Sequence, residues 1–178
     1  MDELRAFADL DGRVALVTGC GSPDGIGFAT ARLLGRQGAK VAITSTTERI
    51  QERVAELGDE GITASGHVAD LTDPDEAARV VAETVEIHGG LDILVNNAGM
   101  SQVGTEDLGR PFAELSPEEW QAGIDQNLNL TANVTRAALA DITQADGGRI
   151  VFVTSVTGPE AARRACGVAP QMRWRRRC

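Results

Sequence analysis

Cysteine is scarce in this sequence, and no long apolar run is present. Three cysteines, Cys20, Cys166 and Cys178, occur among 178 residues, and no two of them form a Cys-x-x-Cys pair. An odd number of widely spaced cysteines favours neither a disulfide framework nor a zinc site, so we expect reduced thiols. No apolar run approaches the roughly 18 residues that cross a bilayer, and the acidic first residues are unlike a signal peptide. We therefore expect a cytoplasmic protein with no membrane partner.

Aromatic and basic side chains are also sparse over most of the chain. Aromatic residues make up 3% of the sequence, tyrosine is absent, and Lys40 is the only lysine. The net charge is −9, although residues 163–178 contain six arginines and no acidic residue. An acidic body repels phosphates, which argues against a nucleic-acid partner. The basic end could attract phosphates, but it has one stacking residue, Trp174, and no nucleic-acid motif, so we expect a solvated end.

Short apolar runs alternate with helix-period patterns along the chain. The apolar runs predict strands at residues 14–17, 41–43, 62–68, 91–95 and 150–153. Helical spacing of apolar residues between these runs predicts the helices that connect them, the last with Leu128, Leu130, Val134 and Leu139 at helical positions. Strands that alternate with helices at these lengths predict an α/β fold with a doubly wound parallel sheet. One domain is expected over residues 1–158, followed by an arginine-rich irregular tail over residues 159–178.

Local signals mark several helix ends. Asp73 followed by Pro74, and Ser116 followed by Pro117, are each typical of an N-cap and the first helical position. The helix after Pro74 is expected to run to His88, and Gly58 is expected to end the second helix. Neither His67 nor His88 has a metal-ligand partner at useful spacing, so no metal site is predicted.

A glycine-rich segment lies between the first predicted strand and the first predicted helix. It runs from Thr18 to Gly27, and its candidate cofactor-binding residues are Gly19, Ser22, Gly25, Ile26 and Gly27. Glycines at this place let the backbone approach a pyrophosphate, and the N–H groups at the helix start face the negative charge. The loop alone favours a phosphate or nucleotide site, with a tight turn or an adenosyl-methyltransferase site as alternatives.

Two further segments end predicted strands, namely residues 68–71 (Val-Ala-Asp-Leu) and residues 94–99 (Leu-Val-Asn-Asn-Ala-Gly). Together with the glycine loop they closely resemble the classical short-chain dehydrogenase/reductase family, and the resemblance covers residues 12 to about 158. It implies a Rossmann-like sheet in the strand order 3-2-1-4-5, truncated before the sixth strand of the family. It also implies that residues after the third and fourth strands contact the adenine and ribose of the cofactor, namely Asp70, Leu71, Asn96, Ala98 and Gly99.

The resemblance assigns catalytic roles to two residues of this chain, but two catalytic residues of the family have no counterpart here. Asn127 matches the family's helix asparagine, whose backbone helps to hold a water in the proton relay, and Ser155 matches the serine that hydrogen-bonds the substrate oxygen. The family's tyrosine and lysine, which supply the proton and lower the tyrosine pKa, have no counterpart after Ser155. The glycine loop also departs from the family, because five residues rather than three separate Gly19 from Gly25.

The end of the second predicted strand favours NADP over NAD as the cofactor. An acidic residue there would bind the ribose 2′-hydroxyl of NAD, but residues 44–47 supply hydroxyl groups instead. Thr46 and Arg49 are the candidate contacts for a 2′-phosphate, in a pattern similar to 3-oxoacyl carrier-protein reductases. The alternative is that Thr47 is only the N-cap of the next helix and that Arg49 is solvated.

These observations predict an oxidoreductase by family, which transfers a hydride between NADP(H) and a small ketone or alcohol such as a 3-oxoacyl thioester. Without the tyrosine and lysine, this chain is expected to be inactive. The alternatives are a non-catalytic nucleotide-binding module and a non-functional fragment. The intact family forms homo-oligomers, whose interface would be incomplete here. The abrupt change of composition suggests the hypothesis of a shifted reading frame near Arg163.

Overall fold

The computed structural model describes residues 9–99 and 114–154. The strands in this part of the chain are β1 (Val14–Val17), β2 (Lys40–Ser45), β3 (Ala64–Val68), β4 (Ile93–Asn96) and β5 (Arg149–Phe152). The α-helices are α1 (Ile26–Arg36), α2 (Ile50–Asp59), α3 (Pro74–His88), α4 (Pro117–Ile124) and α5 (Leu130–Gln144), and a π-helical turn, Asp125–Asn129, joins α4 to α5.

The five strands form one parallel sheet in the order β3-β2-β1-β4-β5. The central strand β1 pairs with β2 on one side and with β4 on the other, so that Leu16 lies between Ala42 and Leu94. Each connection between neighbouring parallel strands includes a helix, as parallel pairing requires. The predicted Rossmann-like fold class and strand order are confirmed for the part of the chain that the structure describes.

Alternate side chains of β1 enter two separate hydrophobic cores. Leu16 packs on the face that α3 and α5 cover, whereas Val17 packs with Phe28 of α1 and Ile50 of α2 on the other face. Every residue of β1 is buried, which is typical of a parallel strand that is covered on both faces. The continuous apolar run that predicted this strand therefore reflects burial on both sides.

Two predicted helix starts are confirmed in detail. The Asp73 side chain accepts a hydrogen bond from the Asp75 N–H, with Pro74 in the first turn. Ser116 accepts from the Glu119 N–H, and the Glu119 carboxylate accepts in return from the Ser116 N–H, which completes a capping box. Helix α3 ends at His88 as predicted, followed by Gly89 with a φ of 90°.

Around α2, one prediction is wrong and the alternative proposed for Thr47 is wrong as well. The helix does not end at Gly58 but continues to Asp59, and the turn that follows uses Gly61, whose φ is 78°. Thr47 is not the N-cap, because α2 begins at Ile50 and Arg49 occupies the cap position without a side-chain cap bond. The Thr47 carbonyl instead accepts from the Ile50 N–H within a turn that precedes the helix.

Two further sequence patterns differ from the observed elements. Strand β3 begins at Ala64 rather than at residue 62, because the Ile62 N–H bonds to the Leu57 carbonyl in the turn after α2. In α5 the buried side chains repeat every four residues, at Leu130, Val134, Ala138 and Ile142. Leu128 and Leu139, which contributed to the helical pattern, are exposed.

Strand β5 lies at one edge of the described sheet. Val151 and Phe152 are 47% and 51% exposed, although strands of a parallel sheet are normally covered. Residues 155–178 lie outside the part that the structure describes, so the predicted domain boundary at residue 158 and the irregular tail remain predictions. No helix within residues 9–99 and 114–154 is long and apolar enough to cross a membrane.

Candidate functional site

The candidate cofactor residues follow strands whose carboxyl ends meet at one edge of the sheet. The glycine loop follows β1, the hydroxyl-rich segment follows β2, Asp70 follows β3, and Asn96 ends β4. In open α/β sheets, ligands bind outside these carboxyl ends, at the point where the strand order reverses. Here the chain order runs outward from β1 in both directions, so the reversal lies between β1 and β4. The carboxyl ends of these two strands are therefore the expected place for a ligand.

Thr18 and Asn97 join the loops that follow β1 and β4. Thr18 is fully buried, and its Oγ1 accepts hydrogen bonds from the N–H groups of Asn97 (3.0 Å) and Ala98 (2.9 Å). The Asn97 Nδ2 donates in turn to the carbonyls of Thr18 (2.9 Å) and Gly19 (3.1 Å). The two loops are therefore held together by the protein's own groups.

Glycine is required in the first loop by close packing as well as by backbone conformation. Gly19 has a φ of 74°, and a Cβ at this position would lie 2.8 Å from the Ala98 Cα. A Cβ at Gly27 would lie 2.5 Å from the Asn97 Nδ2 and 2.6 Å from the Gly19 carbonyl oxygen. These predicted cofactor residues thus have a structural role in joining the loops.

The start of α1 lacks the side-chain cap that α3 and α4 have. Gly25 occupies the N-cap position without a side chain, and the first turn contains no acidic residue. The Gly25 N–H bonds to the Ser22 carbonyl, and Ile26 is exposed. A helix start with no acidic group of its own presents its N–H groups and the positive end of the helix dipole to an external anion.

The loop after β1 also rests on the end of β2. The Cys20 N–H donates to the Thr44 carbonyl at 2.7 Å, and the Gly19 N–H donates to the Thr44 Oγ1 at 3.3 Å. A Cβ at Gly21 would lie 2.5 Å from the Ser45 Oγ. The glycine loop and the hydroxyl-rich segment are consequently neighbours.

Hydroxyl groups and one guanidinium cluster directly after β2. The Thr47 N–H donates to the Ser45 Oγ at 3.2 Å, and the Arg49 Nε donates to the Thr47 Oγ1 at 3.3 Å. Thr46 and Arg49 are exposed. Arg49 is therefore placed by a hydroxyl of the same segment while its side chain remains accessible to solvent.

The segment after β3 forms a turn that carries Asp70 and Leu71. The Asp70 Oδ1 accepts hydrogen bonds from the N–H (3.0 Å) and the hydroxyl (2.7 Å) of Thr72. The Asp73 N–H bonds to the Asp70 carbonyl, and the Leu71 side chain is buried in the core. Asp70 itself is exposed at the carboxyl edge of the sheet.

Asn96 and Gly99 bring the β4 end next to the helix that contains Asn127. Asn96 is 3% exposed; its Nδ2 donates to the Thr135 Oγ1 at 3.0 Å, and its buried Oδ1 has no hydrogen-bond partner among residues 9–99 and 114–154. A Cβ at Gly99, where φ is 151°, would lie 3.1 Å from the Asn127 Oδ1. The structure therefore brings the predicted sites Gly99 and Asn127 together.

Asn127 lies in the π-helical turn, a feature that the sequence pattern did not indicate. Its Nδ2 donates to the Gly123 carbonyl at 3.0 Å. Single π turns within α-helices are frequent at functional sites. Ser155, the second predicted catalytic residue, lies outside the described residues, so its position relative to Asn127 remains a prediction.

Burial determines the state of the thiol in the glycine loop. Cys20 is completely buried, and its Sγ lies 3.4 Å from the Val17 carbonyl oxygen. Loss of hydration raises the pKa of this thiol to about 12, although a backbone hydrogen bond at Thr44 acts in the opposite direction. Cys20 is thus a neutral core residue rather than a nucleophile.

The two histidines belong to a polar cluster between β3 and α3. The Ser65 Oγ lies 3.0 Å from the His67 Nε2 and 2.9 Å from the His88 Nε2, and the His67 Nδ1 donates to the Glu83 carboxylate at 2.9 Å. The Lys40 Nζ donates to the His88 carbonyl at 3.1 Å. Among the described residues, no group of three histidine, cysteine or acidic side chains could hold a metal ion.

Four side chains that organise the site were absent from the predicted set: Thr18, Asn97, Thr135 and Asn133. The first two are next to predicted sites in the sequence, so their position after a strand was an available signal. Asn133 and Thr135 lie on α5, far along the chain from the loops that they contact. Nothing in a single sequence indicates those long-range hydrogen bonds.

Comparison with known proteins yields one consistent family. A sequence profile described as short chain dehydrogenase matches residues 13–167. "Dehydrogenase/reductase SDR family member 4" of Bos taurus is 38% identical over 152 residues, which cover 83% of this chain and 50% of that protein. "Monensin polyketide synthase putative ketoacyl reductase" of Streptomyces virginiae is 40% identical over 151 residues, which cover 83% of this chain and 55% of that protein.

Solved structures agree with the sequence comparison. A short chain dehydrogenase from Burkholderia cenocepacia J2315, crystallised in complex with NADP, superposes with a TM-score of 0.73 at 36% identity, covering 84% of this chain and 58% of that one. The chain spans about half the length of the curated relatives that it matches. The profile match, the shared strand order and these relatives lead to one conclusion: the chain belongs to the short chain dehydrogenase family.

Proposed function

We propose that this chain binds NADP(H) at the carboxyl edge of its sheet, as the dinucleotide-binding part of an oxidoreductase that acts on a ketone or an alcohol. The observation that carries the proposal is the α1 start, where Gly25 caps the helix without a side chain and no acidic residue follows in the first turn. Bound NADP(H) would supply or accept a hydride. Groups at this site would bind each part of this cofactor.

The pyrophosphate is proposed to lie against the loop of residues 19–27. The N–H groups of Ile26 and Gly27 open α1 and would face its negative charge, with Gly19, Ser22 and Gly25 shaping the approach. This loop is already held to the β4 end by Thr18 and Asn97. A preformed loop favours binding because little ordering is left for the ligand to induce.

Adenosine is proposed to occupy the side of the edge near β3. The Asp70 carboxylate, held by Thr72 through one oxygen, would accept a hydrogen bond from the adenine amino group. The Leu71 backbone would lie beside the ring, because the Leu71 side chain is buried in the core. Asn96, Ala98 and Gly99 would line the path toward the nicotinamide. The unpartnered Asn96 Oδ1 is consistent with a donor that is supplied by a ligand or by another part of the chain.

Preference for NADP is proposed to come from Thr46 and Arg49. Both are exposed beside a hydroxyl cluster, and Arg49 is positioned by the Thr47 hydroxyl. A guanidinium can bind a 2′-phosphate by charge-assisted hydrogen bonds. The NADP complex of the Burkholderia cenocepacia relative supports this choice.

The 178-residue chain is proposed to bind its cofactor without turnover. Asn127 and Ser155 would orient water and substrate, but the sequence contains no tyrosine to donate a proton. Its one lysine begins β2, where the Nζ bonds to the His88 carbonyl. At about 3.3 Å per strand residue, Lys40 lies roughly 16 Å from the Ser45 end of β2, so it cannot act at this site.

The substrate class is proposed from the relatives. One relative is named a ketoacyl reductase. We therefore propose a 3-oxoacyl thioester as the substrate of the oxidoreductase to which this chain is related. A non-catalytic nucleotide-binding module is the second candidate, and the absence of tyrosine favours it for the 178-residue chain. Binding and turnover measurements separate the two.

Calorimetric titration with NADPH and NADH tests the binding proposal. NADPH should bind at least about tenfold more tightly than NADH, and Arg49→Ala should remove most of this difference because a charged hydrogen bond is lost. Arg36→Ala is the matched control, since Arg36 is exposed and pairs with Glu60 away from the site. Tighter NADH binding, or no binding of either nucleotide, would contradict the proposal.

A turnover assay tests the proposed lack of catalysis. Absorbance at 340 nm should stay constant when the chain is mixed with NADPH and a 3-oxoacyl thioester. Turnover that Ser155→Ala abolishes would overturn the non-catalytic interpretation and establish an active reductase.

A further inference from the structure

Asn133 of α5 contacts the turn that carries the proposed adenine site. Its Nδ2 donates to two successive backbone carbonyls, those of Thr72 at 3.0 Å and Leu71 at 3.3 Å. The contact joins positions about 60 residues apart in the chain, and Asn133 is half-buried there. One amide group therefore holds two successive carbonyls of the turn.

Two sets of hydrogen bonds hold this turn. Within it, the Asp70 Oδ1 accepts from the N–H and hydroxyl of Thr72, and the Asp70 carbonyl accepts from the Asp73 N–H. From outside it, the Asn133 amide donates to the carbonyls of Leu71 and Thr72. Because Thr72 holds the Asp70 carboxylate and Asn133 holds Thr72, the position of the Asp70 carboxylate depends on Asn133.

The same helix also contacts the β4 end of the site. Two residues after Asn133, the Thr135 Oγ1 accepts a hydrogen bond from the Asn96 Nδ2. The π turn that contains Asn127 immediately precedes α5. Helix α5 therefore contacts both the adenosine side and the β4 side of the proposed cofactor site.

We propose that Asn133 is a positioning residue for the cofactor: it fixes the turn of residues 70–73 so that the Asp70 carboxylate is held ready for the adenine amino group. This inference rests on the NADP(H)-binding function proposed above. Asn133 touches no part of the cofactor, and it acts only through the two carbonyls. Loss of the Asn133 amide should therefore weaken binding of adenosine-containing ligands, while the conformation of the glycine loop should stay the same.

The test compares Asn133→Leu, which has a similar size but no donor, with Asn133→Asp, whose carboxylate repels the two carbonyls. Ala132→Asp is the matched control, since it adds the same charge at the adjacent exposed position. Affinity for 2′,5′-ADP should fall roughly tenfold in Asn133→Leu and further in Asn133→Asp, as expected for lost hydrogen bonds at a binding loop, while Ala132→Asp stays within about twofold of the wild type.

Hydrogen exchange in the ligand-free chain provides the second readout. Exchange in residues 69–73 should accelerate in both Asn133 variants, whereas exchange in residues 18–27 should be unchanged. Unchanged exchange in the turn, or unchanged 2′,5′-ADP affinity in a variant whose turn exchanges faster, would overturn the role of Asn133. A wild-type chain that binds neither NADPH nor 2′,5′-ADP would instead overturn the proposed function together with this inference.

Discussion

Thr18 and Asn97 show how single side chains create the candidate site. Thr18 directly follows β1, and its hydroxyl accepts hydrogen bonds from the N–H groups of two residues that follow β4. Buried backbone donors need partners, and this hydroxyl provides them where the strands separate. The two loops that follow β1 and β4 are thus held together without any ligand.

At the residue scale, the sequence revealed the motif positions but not the contacts between them. The glycines of residues 19–27 and the segment of residues 94–99 were identifiable because each follows a strand. The dependence of Gly27 on Asn97, and of the Asp70 turn on Asn133, was not identifiable. These dependences come from tertiary packing between distant segments, on which one sequence carries no pattern.

Cys20 should be unreactive in the folded chain. Because burial raises the pKa of its thiol to about 12, the thiolate population near neutral pH is negligible, and the Sγ has no access to solvent. Peptide mass spectrometry after N-ethylmaleimide treatment at pH 7.5 should find Cys20 unmodified. The same peptide from guanidinium-treated protein should be fully modified. Rapid modification of Cys20 under native conditions would show that the loop opens.

Among the secondary-structure elements, the starts of helices were predictable from the sequence, but the set of buried helix side chains was not. Asp73 and Ser116 form the caps that their sequence context indicated, because capping depends on neighbouring residues. No local signal indicated the π turn at Asp125–Asn129. Leu128 lies within this turn and is exposed, whereas the buried side chains of α5 begin at Leu130.

Loss of the Asp73 cap should destabilise α3 measurably. Its carboxylate satisfies the Asp75 N–H at 2.8 Å, so Asp73→Ala should lower the free energy of unfolding by about 1 kcal/mol. Urea denaturation followed by circular dichroism measures this change. Asp73→Asn keeps an acceptor and serves as the control. Equal losses in the alanine and asparagine variants would mean that the cap bond is not the cause.

The contact between β3 and α3 should weaken in acid. Burial, followed by the nearby charges of Lys40 and His67, lowers the pKa of His88 below its ordinary value of 6.5. The unfolded chain then binds protons more readily than the folded chain below pH 6.5. The free energy of unfolding should therefore be highest above pH 6.5 and should fall as the pH decreases through the folded-state pKa.

Urea titrations between pH 8 and pH 5 measure this dependence, with His88→Gln as the comparison. The variant cannot gain a proton at this position, so the difference in unfolding free energy between wild type and variant should shrink below pH 6.5. A difference that stays constant across this range would show that His88 does not contribute to the pH dependence.

At the scale of the whole molecule, the chain combines a well-buried centre with an exposed edge. Strands β1 and β2 are covered on both faces, whereas β5 exposes Val151 and Phe152. The alternation of strands and helices predicted a parallel sheet because parallel strands need helical crossovers, whereas its strand order was implied by the family resemblance. The apolar run of residues 150–153 does not by itself distinguish an exposed strand from a covered one, so the expectation of an exposed fifth strand came from the family resemblance.

The exposed β5 edge should cause association of the 178-residue chain. An exposed apolar strand with unpaired backbone groups pairs readily with other chains. Size-exclusion chromatography should show aggregates for the wild type and a larger monomer fraction for Val151→Lys. The matched control is Ile87→Lys, which changes an exposed apolar residue on α3 and should leave the profile unaltered. A monodisperse wild-type monomer with a sharp, reversible thermal transition would contradict this prediction.

The central claim is that a nicotinamide dinucleotide binds across the carboxyl edge of this sheet. Hydrogen exchange with and without saturating NADPH tests it in one measurement. Slower exchange is expected in residues 18–27, 69–73 and 96–99, because these three segments would contact or face the cofactor. Residues 80–88 of α3 should exchange at the same rate in both samples. Protection confined to other segments, or no protection at all, would contradict the account.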